Sequence, residues 1–239
     1  MSVYILLFFL LRFSAAKDDC TPTRCSHHGP TIRFPFRLKN HHPPHCGYPG
    51  FDLSCSPNTT SATTILHLPV SVKVLVNDID YKSQLIHIKD PNSCFPQQLR
   101  NLNLSAAPFI APFPQDLPNP NLSGSFVGNF SVFSCPSTPP DWERISERVT
   151  CLSGHGREVY AVNHMWDTYE APMMRCRKMY NVWSVPYEAF YQTADLQLRW
   201  PLAVCRGCEA EGKFCRLSQL ARALWVVIGL ESSDEVDSC

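Results

Sequence analysis

Cys25-Ser-His-His-Gly-Pro-Thr-Ile-Arg-Phe-Pro-Phe-Arg-Leu-Lys39 is the stretch on which the reading of this chain turns. Ile32, Phe34, Phe36 and Leu38 alternate there with Arg33, Pro35, Arg37 and Lys39, the period of an extended strand that buries one side and wets the other. Pro35 lacks a backbone donor, which places the strand at a sheet edge. The alternation predicts that Arg33, Arg37 and Lys39 share the wet face, where an anionic polymer can pair with several cations at once. A solvated charged edge that prevents aggregation is the plainer alternative.

Working outward, the same period returns. Val72, Val74 and Val76 alternate, and Leu85-Ile-His-Ile-Lys89 follows the polar turn Asn77-Asp-Ile-Asp-Tyr-Lys-Ser83, the pattern of a β-meander. Proline then becomes dense between Pro91 and Pro120, which forbids regular helix and reads as a connector. Ser125-Phe-Val-Gly-Asn-Phe-Ser-Val-Phe-Ser-Cys135 and Leu196-Gln-Leu-Arg-Trp200 resume strand-like usage ahead of Cys205, Cys208 and Cys215. Short helices are expected near Trp142 to Arg148 and near Leu217 to Trp225. The expected organisation is a leader at 1–16, a cysteine-rich module at 17–95, a connector at 96–125, a second cysteine module at 126–216 and an atypical tail at 217–239. The fold class is mainly β, in small disulfide-rich modules.

Composition agrees. Lys and Arg number 21 and so do Asp and Glu, so no bulk field draws the chain toward nucleic acid. Hydrophobic residues make up 44% and charged ones 18%, enough for a core and unlike a disordered chain. Proline is high at 21 and glycine low at 10, so loops are stiff and long helices are not expected. Twelve cysteines, an even number, suit disulfides in an oxidising compartment. The apolar run Val3 to Leu11 followed by Ser14-Ala-Ala16 has the form of a secretory leader cut after Ala16, too short to span a membrane. Ala223 to Leu230 is also too short for a span, so a secreted location is expected. Four sequons follow, at Asn58, Asn103, Asn121 and Asn129.

Each candidate chemistry has a plainer reading beside it. Cys205-Arg-Gly-Cys208 with Cys215 has the spacing of half a zinc site, yet no fourth ligand is evident and an oxidising compartment favours disulfides. Pairing is therefore left open among Cys20, Cys25, Cys46, Cys55, Cys94, Cys135, Cys151, Cys176, Cys205, Cys208 and Cys215, with Cys239 as an uncertain twelfth. Bridges within each module are expected over bridges across the connector. His27, His28, His41, His42 and His45 cluster in sequence, but proline-flanked histidines are ordinary loop residues. Asp78 and Asp80 have the spacing of a carboxylate pair and also of plain turn chemistry. No nucleophile elbow, phosphate loop or metalloprotease motif occurs, so no catalytic residue, metal or cofactor is expected. Trp142, Trp166, Trp183, Trp200 and Trp225 suit either sugar stacking or a core.

The opening stretch, with His45-Cys-Gly-Tyr-Pro-Gly-Phe-Asp-Leu-Ser-Cys55, closely resembles the galacturonan-binding cysteine-rich module of plant wall-associated receptor kinases. The likeness runs through Val74, Ile79-Asp-Tyr81, Ile86 and Asp90-Pro-Asn-Ser-Cys94. Leu196 to Cys215 is similar to the companion C-terminal cysteine module. The wording is most similar to ectodomains of ATL-type RING finger proteins and leaf-rust-type receptor-like kinases. The resemblance implies an extracellular, cell-wall, non-catalytic partner of pectic polysaccharide or oligogalacturonide, with Arg33, Arg37 and Lys39 as contacts. A protein ligand is the alternative, as is the ectodomain of a membrane-anchored ubiquitin ligase or kinase. Neither a RING cysteine–histidine array nor a kinase glycine loop occurs, so neither activity is expected of this chain.

Overall fold

Five strand pairings, one parallel and four antiparallel, organise the six-stranded first sheet. The computed structural model describes residues 19–57, 62–100, 104, 107–112, 127–137, 145–154, 156–165, 175–190, 195–200, 204–217 and 237–239. In their order across the sheet its strands are β1 (Arg37–Leu38), β2 (Asp52–Cys55), β3 (Thr64–Leu68), β4 (Val72–Asp80), β5 (Leu85–Lys89) and β10 (Asp195–Arg199). β1 runs parallel to β2 and every other pair in this sheet is antiparallel. The second sheet, in the order β7-β8-β6-β9, contains β6 (Val127–Cys135), β7 (Ser146–Arg148), β8 (Glu158–Asn163) and β9 (Arg177–Pro186). A short pair, β11 (Arg216–Leu217) with β12 (Asp237–Ser238), and two short helices, α1 (Phe95–Leu99) and α2 (Val204–Ala210), complete it. The mainly β, disulfide-rich class read from the sequence is what the chain adopts.

Alternation explains the core. Val72, Val74 and Val76 point inward from β4, as Leu66 and Leu68 do from β3, and Ile86 and Ile88 from β5. A register shift between Val76 and Asp78 leaves Asn77 and Asp78 both exposed and turns Ile79 back inward. The polar segment after Val76 thus continues β4 to Asp80, and the Asp80 carboxylate accepts from Lys82 N and Ser83 N to close the turn beyond it. Phe130, Val132, Val159, Ala161, Val182 and Val185 of the second sheet meet these residues in one shared core. Trp200, 1% exposed, stands edge-on to Phe36 at 5.0 Å within it. β10, from the region expected to form the second module, therefore completes the sheet of the first.

All twelve cysteines are paired: Cys20–Cys46, Cys25–Cys55, Cys94–Cys151, Cys135–Cys176, Cys205–Cys215 and Cys208–Cys239. The zinc reading of Cys205 and Cys208 loses its thiolates to these bridges. The expectation that bridges stay within modules needs correcting, because Cys94–Cys151 crosses the proline-rich region. The reason is the shared core, which brings the start of α1 beside the short helical turn at Thr150–Leu152. A helix near Trp142 to Arg148 is likewise corrected at its end, where Ser146–Arg148 pairs with β8 as strand β7. The leader, Asn58, Asn103, Asn121, Trp142, Trp166, Trp225 and most of the tail lie outside the described residues.

Candidate binding surface

The strand expected from Ile32 to Lys39 is broken by a turn. Phe36 N–H donates to Arg33 O at 2.9 Å across the cis Phe34–Pro35 peptide, and regular pairing begins only at Arg37. Gly47 packs against this bend so closely that a Cβ would lie 2.9 Å from Pro35 O and from Arg37 Cβ. Alternation does not carry through a turn, so Arg33 departs from the face of Arg37 and Lys39. This corrects the shared face expected for the three cations.

Arg33 turns inward to a paired site. Its guanidinium makes two bonds to Glu209, Nη1 to Oε1 at 2.5 Å and Nη2 to Oε2 at 2.8 Å, with side chains only 10% and 8% exposed. Tyr81 lies on one side, 3.6 Å from guanidinium carbon to ring centroid, and Phe214 at 4.6 Å. Tyr81 Oη donates to Thr31 O at 2.8 Å and accepts from Arg33 N at 3.1 Å. Burial drives the Tyr81 phenol far above its ordinary range, so it stays neutral. Above this clamp opens a groove of about 620 Å³, with Arg24, His28, Asn77, Asp78 and Phe214 on its walls.

Arg37 and Lys39 do share the outer face of the first sheet. Both reach Asp52 on β2, Arg37 Nε at 2.5 Å from Oδ1 and Lys39 Nζ at 3.7 Å from Oδ2. The next strands extend the same face: His67 of β3 is the direct cross-strand partner of Lys73 of β4, and Ser54 Oγ lies 2.7 Å from His67 Nε2. Desolvation, then the charges of Lys39 and Lys73, hold the His67 pKa below its ordinary value. Neighbouring strands lie about 4.8 Å apart, so the cations from β1 to β4 form a stripe roughly 14 Å wide. One carboxylate, Asp52, pairs with both Arg37 and Lys39 within it. Lys73 is not among the cations that the sequence singles out, because alternation with Val72 and Val74 gives it an outward face but no partner. The readable signal was β3–β4 meander pairing, which sets Lys73 beside His67.

The remaining candidates separate. His42 is buried and structural: its Nδ1 accepts from Leu38 N at 3.1 Å, which leaves Nε2–H to donate to Thr21 O at 2.9 Å. Burial lowers its pKa in keeping with that neutral ring. His45 lies beside the sulfurs of Cys20 and Cys46, but these are bonded to each other and offer no thiolate pair to a metal. Asp78 and Asp80 sit on opposite sides of their roles, Asp78 on the groove wall and Asp80 capping a turn. Trp200 is core and Trp183 is 44% exposed.

Known proteins bear on this geometry. Residues 20–90 match the family model for wall-associated receptor kinase galacturonan-binding. That match contains the whole β1–β4 stripe, and the resemblance carried by Cys25 to Cys55 is borne out. The RING-H2 finger protein ATL22 of Arabidopsis thaliana is 28% identical over 225 residues, covering 87% of this chain and 52% of the relative. The Rust resistance kinase Lr10 of Triticum aestivum is 26% identical over 230 residues, covering 83% of this chain and 35% of the relative. The chain spans about half the length of the RING-H2 relatives it matches. No solved structure matches it. Among the described residues no helix is long and apolar enough to cross a membrane.

Proposed function

We propose that the chain is an extracellular, non-catalytic binding protein for a polyuronate of the pectic class, and that the stripe of Arg37, Lys39 and Lys73 receives it. The observation that carries the reading is the placement of these cations on one sheet face, Arg37 and Lys39 at Asp52 of β2 and Lys73 beside His67 of β3, within the galacturonan-binding match. Repeated carboxylates along a polymer meet repeated cations across strands, and each charge-assisted bond adds to the last. Arg33 is left out of the contact set because its charge is already answered by Glu209. The Asp52 pairing holds Arg37 in place, while Lys39 is 48% exposed on its side chain and free to turn toward a ligand.

The test is calorimetric titration with oligogalacturonide and with a neutral oligosaccharide, at low and physiological salt. Saturable binding to the uronate alone, weakening with salt, is expected. The double reversal Lys39→Glu with Lys73→Glu should lower affinity about tenfold or more, since exposed pairs contribute about 0.2–1 kcal/mol each and reversal adds repulsion. Unchanged binding in that variant refutes the stripe. A second reading is favoured by the coverage of the RING-H2 relatives: the chain corresponds to the ligand-sensing portion of a longer membrane-anchored protein. A transcript that continues in frame into a membrane helix and a RING or kinase domain decides for it.

A further inference from the structure

We propose that Asn129 is an N-glycosylation site whose first sugar is seated against Trp183, so that the glycan covers the exposed apolar end of the second sheet. The inference rests on the secretory routing expected from the sequence, and not on polyuronate binding. Asn129-Phe-Ser131 is a sequon on β6, and Asn129 is exposed. Its backbone oxygen accepts from His164 N at 2.8 Å, and its side-chain Oδ1 accepts from Ser184 N at 3.0 Å. Its Nδ2 has no hydrogen bond among the described residues. The atom that carries an N-linked sugar is thus the free one, and the amide oxygen fixes its direction.

The neighbours of Asn129 form a prepared platform. The residue before Ser184 is Trp183, and its ring is held edge-on by His164 at 5.2 Å and 83°. His164 Nε2 lies 2.8 Å from Ser131 Oγ, and that hydroxyl donates to Asn181 Oδ1 at 2.9 Å. A tryptophan ring held in place this way, yet 44% exposed, offers a flat apolar face for the apolar side of a pyranose. Val127 and Met165 adjoin the same end of the sheet and are 41% and 81% exposed. The sequon therefore lies at the sheet end that carries these exposed apolar side chains, which an attached glycan would cover.

Ser131 is only 4% exposed, so the transfer has to precede the folding of β6. In that step the Asn129 Nδ2 attacks the anomeric carbon of a lipid-linked oligosaccharyl diphosphate. A carbon–nitrogen bond forms, the carbon–oxygen bond to the diphosphate breaks, the lipid diphosphate leaves and one amide proton passes to base. The remaining N–H and the Oδ1 acceptor persist, so the bond from Ser184 N survives modification.

The experiment secretes the full chain from mammalian cells behind a heterologous leader, with a second culture using its own N-terminus to read routing separately. Release of glycans by an amidase in oxygen-18 water converts each occupied asparagine to labelled aspartate, which peptide mass spectrometry locates. Label at position 129 is expected, and its absence under the heterologous leader overturns the site. Release from the already folded protein avoids any folding defect in a variant. The emission attributable to Trp183, taken as the difference from Trp183→Phe, should shift to the red and become more accessible to acrylamide after release. An unchanged difference spectrum overturns the seating, whether Trp183 is then open to solvent or covered by another molecule.

Discussion

Arg33→Met is the substitution that most directly tests the internal role assigned to this cation. It deletes two bonds to Glu209 at 2.5 and 2.8 Å and leaves a carboxylate with 8% side-chain exposure beside one remaining donor among the described residues, Cys215 N at 3.3 Å. Breaking a buried pair from one side costs about 3–5 kcal/mol, chiefly because the remaining charge is stranded. Loss of the guanidinium from between Tyr81 and Phe214 belongs to the same figure, while methionine refills much of the volume. For a chain of this size the apparent melting temperature should fall by about 6–20 °C. The double variant Arg33→Met with Glu209→Gln removes the stranded charge and should recover more than half of the loss. Calorimetric and chemical unfolding of the oxidised protein, with all disulfides intact, measure both. A single-variant loss under about 1 kcal/mol, or a double variant that loses the sum of the singles, refutes the argument.

Two other perturbations follow from the fold. Replacing Cys94 and Cys151 by alanine opens a loop with a sequence separation of 57, which on a chain-entropy account costs about 4 kcal/mol of stability, read from denaturant midpoints. Tyr180 Oη donates to Pro96 O at 2.5 Å, and burial pushes its pKa up to about 12. Its raised pKa means that the folded state keeps the proton longer than the unfolded one does. This contribution is fully present below about pH 10 and is lost as pH climbs through about 12. Tyr180→Phe should flatten that part of the alkaline loss in unfolding titrations between about pH 9 and 11.5.

What the sequence discloses depends on whether the decisive interaction is local. Val72, Val74 and Val76, the run Leu85 to Lys89, and the run ending at Cys135 announce their strands because period two is set by neighbouring residues. Leu196 to Arg199 is equally readable as a strand. That it pairs with β5 is not, because nothing in five residues names a partner more than a hundred positions away. The same limit hid Glu209, 176 residues from Arg33, and the bridge from Cys94 to Cys151. The place of Arg33 is hidden for a different reason. By sequence Pro35 reads as a missing donor at an edge, whereas the chain uses it inside a turn, and one turn is enough to put a side chain on another face. Two of the three cations of the stripe, Arg37 and Lys39, are therefore legible, and Lys73 requires the strand pairing.

The bend at Arg33 to Phe36 also explains why one short motif serves two ends. Before the bend, Arg33 faces the C-terminal cysteine loop, where Glu209 and Phe214 lie between bridges Cys205–Cys215 and Cys208–Cys239. At the bend, Phe36 enters the core against Trp200, Phe51 and Tyr81. After it, Arg37 and Lys39 emerge on the outer sheet face with Asp52. Cations that look equivalent in sequence are thereby assigned opposite tasks, one closing the molecule and two facing out of it. A uronate titration alone would confuse them, since on the proposed function a destabilised Arg33 variant and a folded Lys39 variant would both lose binding. Their stabilities separate them: the Arg33 variant loses its melting temperature first, while the Lys39 variant keeps its fold and loses only the salt-dependent part of the affinity.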